Sequence, residues 1–362
     1  MSKILTLSIP TWNRASLLKN LLTEISLKIT EFNLENDIEL LVSNNNSEDS
    51  TDEIILSLKL KYNFITYNRN STNIGGKSNV LKSMELAASP FVMFFGDDDN
   101  VNVENLLPVI KILKNNNDIG VLLDTSLSKF HYSNRINKIQ ADECAKNFYW
   151  YMGNAGCFIV RTEYLKINLS RYGYDFFNEC WPQTQLMLLG LCENRNQFVF
   201  AGNFSLSKES AHTEVMVYSS FYLWRTVVYD LRISIESIKH LISEEVYEGA
   251  LANMKKSANQ NFLNLLQCGV FIDEKELKNK TIKHIFMNIR LFNGKEKFLY
   301  ITVAFILSLP GLINKPFSNL FIYFFKGKQG IVKKDNFVKN EVLKKLKNSD
   351  SGSVRMLEFE NP

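Results

Sequence analysis

Along the first hundred residues, short apolar runs alternate with stretches whose apolar positions recur at helical spacing. Residues 4–9, ILTLSI, read as a buried strand, and Leu17, Leu18, Leu21, Leu22 and Ile25 then line one face of a helix. The unit repeats in IELLVSNNNSEDSTDEIILSL: an apolar run, a polar turn, then Ile54, Ile55 and Leu58, with Ser50 or Thr51 expected as the N-cap. FITYNRNSTNIGGKSNVLKSMELAA supplies a third strand, a glycine-containing loop and a helix, and PFVMFF a fourth strand that ends in GDDDN. Strands alternating with helices at this spacing predict an α/β fold with a mostly parallel, doubly wound sheet. Such sheets bind ligands beyond the carboxyl ends of their strands. The polar clusters PTWNR, SNNNSEDS, NSTNIGGKSN and GDDDN all fall at such ends.

From about residue 120, IGVLLDTS, NAGCFIVRTEYL and QFVFAG read as further strands, and CWPQTQLMLLGLCEN as a helix beginning near Pro182. Residues 221–270 are helical by periodicity. FLYITVAFILSLPGLI, residues 298–313, is apolar but interrupted by Pro310 and Gly311, and it falls short of the ~20 apolar residues of a spanning helix. Lys295, Lys297, Lys315, Lys326 and Lys328 flank it, which fits an element lying on a membrane surface or re-entering it. A buried helical hairpin is the alternative. The expected organisation is an α/β domain over 1–220, a helical extension over 221–290, a basic, apolar membrane-associating region over 291–348 and a flexible tail over 349–362.

Composition refines this picture in three places. The 362 residues carry a formal net charge of +4, too small to imply a nucleic-acid partner. The charge is uneven, however: residues 275–348 hold sixteen Lys or Arg against four Asp or Glu. The five cysteines, Cys144, Cys157, Cys180, Cys192 and Cys268, show no C-x-x-C pairing, which argues against a zinc site or a disulfide framework and for a reducing compartment. The N-terminus runs straight into strand-like alternation with no secretory pattern. The expected location is cytoplasmic, peripheral at the inner face of the cell membrane.

The candidate chemistry centres on Asp97, Asp98 and Asp99. Adjacent carboxylates at a strand end, with no His or Cys cluster nearby, suit a hard cation such as Mg²⁺ or Mn²⁺. Such a cation is usually shared with substrate phosphates. A solvated turn or helix cap is the alternative. SNNNS offers amides and hydroxyls for a base and ribose, and Gly75, Gly76 and Lys77 allow backbone to approach phosphate. NIGGKSN is not a P-loop, because Ser71 stands where that motif needs glycine. The site therefore reads as one for a nucleoside diphosphate.

LSIPTWNR, VSNNNSEDSTDEI, NRNSTNIGGKSN and FFGDDDN, in this order and spacing, resemble the family 2 glycosyltransferases with the GT-A fold. The match covers roughly residues 3–100 well and 150–190 loosely. The G-D-D-D form of the turn is similar to a subgroup of abequosyltransferase-like enzymes of O-antigen synthesis. The resemblance implies an inverting, metal-dependent transfer of sugar from a nucleotide-diphosphate donor to a saccharide acceptor, with a lipid-linked saccharide as the expected form. It places Pro10, Thr11, Asn13 and Arg14 at the first nucleotide loop, and Asn44, Asn45 and Ser47 near the base and ribose. Asn73, Gly75, Lys77 and Asn79 fall on the ribose and diphosphate side. Asn44 stands where many relatives have Asp, and Gly96 where they have the first acid of the metal turn. That leaves Asp98 and Asp99 as the implied metal ligands, with Asp97 beside them.

The implied general base lies in YDFFNECWPQTQ, where Glu179 is the candidate and Asp175 the runner-up. Cys180 departs from the family's paired acids, and a structural Glu179 is the alternative. His212 is a candidate third contact, and Trp181 with Tyr149, Trp150 and Tyr151 a candidate sugar platform or simply core. The rival readings are a nucleotidyltransferase, whose basic signature SIPTWNR lacks, and a GT-A-like membrane scaffold that has lost the base.

Overall fold

The computed structural model describes residues 3–99, 101–126, 136–178, 181–194, 196–206, 231–271 and 275–326. They divide into two compact units, one of Met1–Ser210 with Ile233–Asn253, the other of Ala211–Arg232 with Met254–Pro362.

The first unit is built on an eight-stranded sheet. In chain order its strands are β1 (Leu5–Thr11), β2 (Ile38–Asn44), β3 (Ile65–Arg69), β4 (Phe91–Phe94), β5 (Ile119–Asp124), β6 (Asn137–Ile139), β7 (Phe158–Arg161) and β8 (Phe198–Gly202). Their spatial order is β3-β2-β1-β4-β7-β5-β8-β6. β1 to β4 are mutually parallel, and β5 is parallel to β8. β7 runs antiparallel between β4 and β5, and β6 lies antiparallel against β8. β1 and β2 are almost wholly buried, as expected of parallel strands covered by helices on both faces.

The intervening helices are α1 (Ala15–Glu31), α2 (Thr51–Lys61), α3 (Gly76–Glu85), α4 (Val103–Asn115), α5 (Ala141–Phe148), α6 (Thr162–Tyr172) and α7 (Pro182–Glu193). α1 packs beside α2 and α4, and α3 beside α6 and α7. Leu18, Leu22 and Ile25 of α1 and Leu106, Val109 and Ile110 of α4 share one core with Leu5, Leu7 and Ile9 of β1. α4, α5, α6 and β6 have no counterpart among the expected elements, and the strand expected over NAGCFIVRTEYL is confined to Phe158–Arg161, its last residues opening α6. Pro108 inside α4 removes a backbone donor and reads as a breaker, and β6 is too short for a periodic signal. α7 starts at Pro182, as the pattern predicts, because proline suits the first helical position.

In the second unit the helices Lys275–Asn288, Gly294–Ser308 and Gly311–Lys326 follow one another. Tyr300, Val303, Ala304 and Leu307 form the buried face of Gly294–Ser308, and the Phe292 and Tyr300 rings lie 4.3 Å apart. The opposite face carries Phe298, 73% exposed, Ile301, and Phe305, 61% exposed. A helix apolar on both faces has its second face left for some other apolar surroundings. No described helix is long and apolar enough to cross a membrane. The break expected at Pro310 is present: one helix ends at Ser308 and the next begins at Gly311.

Candidate active site

The site starts from strand register. Thr11 pairs with Asn44 and Asn44 with Arg69, so β1, β2 and β3 end level and release their polar loops at one edge. β4 ends beside them, and the turn that follows carries Gly96, Asp97, Asp98 and Asp99. Four of the predicted clusters therefore share one end of the sheet.

The acidic turn is tied to the first loop by charge. The Thr11 hydroxyl donates to Asp97 Oδ2 at 2.7 Å, and Arg14 Nη1 donates to Asp97 Oδ1 at 2.7 Å and Asp98 Oδ2 at 3.1 Å. Burial pushes the Asp97 carboxyl up, against the opposing pull of Arg14 and Thr11. For Arg14 burial works against the charge, but Asp97 and Asp98 outweigh it and hold the guanidinium more firmly protonated than usual. Asp99, whose Oδ2 accepts the Gly96 N–H at 2.7 Å, is pushed up to about 6, chiefly by burial, with Asp98 and Asp97 adding to the effect. Asp98 has the open position, its side chain 40% exposed against 6% for Asp97.

Gly96 explains how two carboxylates fit here. A Cβ on it would sit 2.9 Å from Asp98 Oδ1 and 3.1 Å from Asp99 Oδ2. Both acids fold back over the bare glycine, and a side chain at this position would require the two carboxylates to shift. An all-oxygen pair converging on one point fits a hard cation that draws its remaining ligands from phosphate and water. Among the described residues no group of three or more acids, histidines or cysteines is placed to hold a metal ion.

The other loops are held by a web of amides. Asn13 takes a left-handed conformation, φ 52°, its N–H donating to Ser47 Oγ at 2.9 Å and its Oδ1 accepting from Glu48 N at 2.8 Å. Asparagine tolerates that region better than most residues. Asn44 is buried, donating to Asp52 Oδ1 at 2.6 Å and accepting from Ser47 N at 2.9 Å. Asn45, also buried, donates to Asn73 Oδ1 at 2.8 Å and accepts from Ile74 N at 2.9 Å and Asn70 Nδ2 at 3.1 Å. Asn79 accepts from Ser43 Oγ at 2.9 Å and Asn70 Nδ2 at 3.0 Å. Asn73 Oδ1 also accepts from Gly75 N, where φ is 84° and only glycine is unstrained, just ahead of α3. Lys77 Nζ donates to Phe177 O at 3.2 Å. Pro10 is half-buried within β1, paired with Ser43.

Several residues of this framework lie within the quoted motifs but are not singled out by them. Asp52 gathers Asn44, the Tyr67 hydroxyl and Arg69. Asp49 accepts from Ala15 N at 3.0 Å and from Thr51 N at 3.1 Å, holding the starts of α1 and α2 together. Burial opposes its charge, but the bonds from Thr51 and Ala15 outweigh it and lower its pKa. Ser50 occupies the N-cap position of α2 without a side-chain bond, so Asp49 does the capping from one residue earlier. An acid inside SNNNSEDS was the available clue; which loop it reaches was not.

Glu179, Cys180 and His212 lie outside the described residues. Asp175 is exposed on a short 3₁₀ turn. Trp181 precedes α7 in a left-handed conformation, φ 53°, with its ring on Gly153 and 5.7 Å from Trp150. Tyr149 and Tyr151 are buried.

Comparison with known proteins agrees with this architecture. Residues 6–166 match the family described as Glycosyl transferase family 2. Over 117 residues the chain is 38% identical to abequosyltransferase RfbV of Salmonella typhimurium, a stretch covering 32% of this chain and 34% of that protein. The matched stretch is thus about a third of that relative's length. Two S. aureus TarS structures share the fold. TarS 1-349 in complex with UDP-GlcNAc superposes with a TM-score of 0.55 at 16% identity, over 90% of this chain and 92% of that one. A longer TarS chain superposes with a TM-score of 0.50 at 15% identity, over 88% of this chain and 55% of that one. The match to Glycosyl transferase family 2 thus spans residues 6–166, the stretch that carries the four converging loops and most of the sheet.

Proposed function

We propose that this chain is an inverting glycosyltransferase that moves a sugar from a nucleotide-diphosphate donor to a saccharide acceptor, with Mg²⁺ or Mn²⁺. The observation that supports the reading best is the acidic turn. Asp98 and Asp99 fold over Gly96 at the sheet edge, beside Arg14 and three loops of backbone N–H groups and amides. The TarS structure named for its UDP-GlcNAc complex and the abequosyltransferase relative favour a nucleotide-sugar donor and surface-polysaccharide synthesis. The cation, when bound, stabilises negative charge on the departing diphosphate.

In this reading Asp98 and Asp99 hold the cation. Asn13, Arg14, Gly75 and Lys77 face the nucleotide and diphosphate. Pro10, Thr11, Asn44, Asn45, Ser47, Asn73 and Asn79 fix loop shape, since most of their polar groups already serve neighbouring loops. Asp97 anchors Arg14 and Thr11. Glu179 takes the proton of the acceptor hydroxyl. The acceptor is lipid-linked, and the second unit brings the enzyme to it at the inner face of the cell membrane.

A thermal-shift panel of UDP-, GDP-, CDP- and dTDP-sugars with and without Mn²⁺ tests the core of this reading. One donor is expected to stabilise the protein more with Mn²⁺, and Asp98→Asn to remove the metal-dependent part. Stabilisation by none of them overturns the reading. Donor binding without turnover on any acceptor would instead favour a scaffold. A kcat near wild type in Glu179→Gln would remove that residue as the base.

A further inference from the structure

Arg14 occupies the place of a cation in the acidic turn. A single nitrogen, Nη1, lies 2.7 Å from Asp97 Oδ1 and 3.1 Å from Asp98 Oδ2. The two partners are unequal. Asp97 is buried and its other oxygen is taken by the Thr11 hydroxyl at 2.7 Å, so its bond to Arg14 is fixed on both sides. Asp98 is open to solvent and its bond to Arg14 is the longer. Arg14 therefore has one permanent carboxylate and one replaceable carboxylate.

A divalent cation on Asp98 would meet the guanidinium on the same carboxylate. Arginine cannot relieve that repulsion by losing a proton. We propose that Arg14 is a built-in counter-cation for Asp98 that the incoming metal displaces, and that the freed guanidinium then turns to the donor's diphosphate. The inference deepens the transferase reading and rests on it. Asp97 and Thr11 keep the arginine tethered during the exchange, and its planar fork matches phosphate oxygens. Two consequences follow from the competition. Metal alone binds weakly, because it must leave a displaced positive charge beside it. Nucleoside diphosphate strengthens metal binding, and by reciprocity metal strengthens nucleotide binding.

Free Mn²⁺ measured by electron paramagnetic resonance, with and without UDP, GDP, CDP or dTDP, reads both consequences without turnover. Diphosphate oxygens also ligate the metal, so the share due to Arg14 is the difference between wild type and Arg14→Gln. The variant is expected to bind Mn²⁺ alone about tenfold more tightly and to show a coupling about tenfold smaller, a change of ~1.4 kcal/mol. Arg14→Lys, which restores a charge, is expected to return most of the wild-type weakness toward metal, which mere loss of packing would not do. Circular dichroism and thermal unfolding confirm that each variant is folded. Tight Mn²⁺ binding by the wild-type protein, unchanged by nucleotide, overturns the inference whatever the variants do. So does an Arg14→Gln affinity for Mn²⁺ equal to or below that of wild type. Either result leaves the transferase reading standing. If neither Mn²⁺ nor any nucleotide binds, the transferase reading falls and this inference with it.

Discussion

Asp99 shows how much one side chain's surroundings decide. Its carboxyl, pushed up to about 6 mainly by burial, is held neutral in the folded protein over a range where an unfolded chain would ionise it. The folded state binds more protons between roughly pH 4 and pH 6, so stability falls as pH rises through that window. A shift of this size corresponds to ~2–3 kcal/mol, fully expressed above about pH 6. Asp99→Asn keeps an oxygen for the Gly96 N–H and removes the buried charge. Its expected gain over wild type is ~2 kcal/mol at pH 8, shrinking toward zero near pH 4, measured by urea unfolding of the metal-free protein. An equal gain at both pH values would refute the assignment. At this scale the sequence was informative about place and silent about partners. Three aspartates behind a strand mark an edge, but that Thr11 and Arg14 lock Asp97 while Asp98 stays open depends on contacts across more than eighty residues.

Secondary-structure elements were legible where burial is continuous. β1, β2 and β4 are apolar runs because helices cover both faces, and α1 shows its stripe because one face meets the sheet. Direction is not encoded in periodicity, so the antiparallel placement of β7 between β4 and β5 had no sequence signal. α4 was hidden by Pro108. Helix starts are a further case. Asp49 bonds the first turns of α1 and α2 at once, so one carboxylate fixes two helices leaving different strands. Asp49→Ala is expected to cost ~1–2 kcal/mol, read as a lowered urea midpoint. Asp49→Asn retains one of the two acceptor oxygens, Oδ1 serving Thr51 and Oδ2 Ala15, and should recover about half. A loss below ~0.5 kcal/mol would mean that water replaces the carboxylate in capping α1 and α2.

For the whole molecule, the described parts differ in what they leave exposed. The large apolar side chains that the sheet-bearing unit exposes are aliphatic, Leu60 at 92% among them, whereas the second unit exposes phenylalanines: Phe298, Phe305 and Phe317 are 73%, 61% and 51% exposed. Lysines flank these helices in sequence, and residues 326–348 continue the positive charge. Burying three phenylalanines in a lipid interface contributes several kcal/mol at about 25 cal/mol per Å². The wild-type chain is expected to float with vesicles containing anionic lipid, and Phe298→Ser, Phe305→Ser and Phe317→Ser combined to stay in the soluble fraction with an unchanged unfolding temperature. Flotation equal to wild type would remove these side chains from the interaction. Self-association of the wild type, abolished by the same changes and without lipid, would assign the face to a second copy instead.

The amide web around Asn45 has a kinetic consequence. Asn45 joins the Asn70–Gly75 loop to the end of β2, Asn79 joins α3 to the same strand, and Ser47 closes onto Asn13. The loops are tied to adjacent residues at the end of β2, Ser47 to Asn44 and Asn73 with Ile74 to Asn45. The backbone N–H groups of Asn13, Ser47, Ile74 and Gly75 should therefore trade hydrogen for deuterium at a common rate, as one unit, although Asn13 and Gly75 are about sixty residues apart in the chain. Asn45→Ala should then speed that exchange at Asn13 as well as at Ile74, whereas exchange quickened at Ile74 alone would show the loops breathing separately.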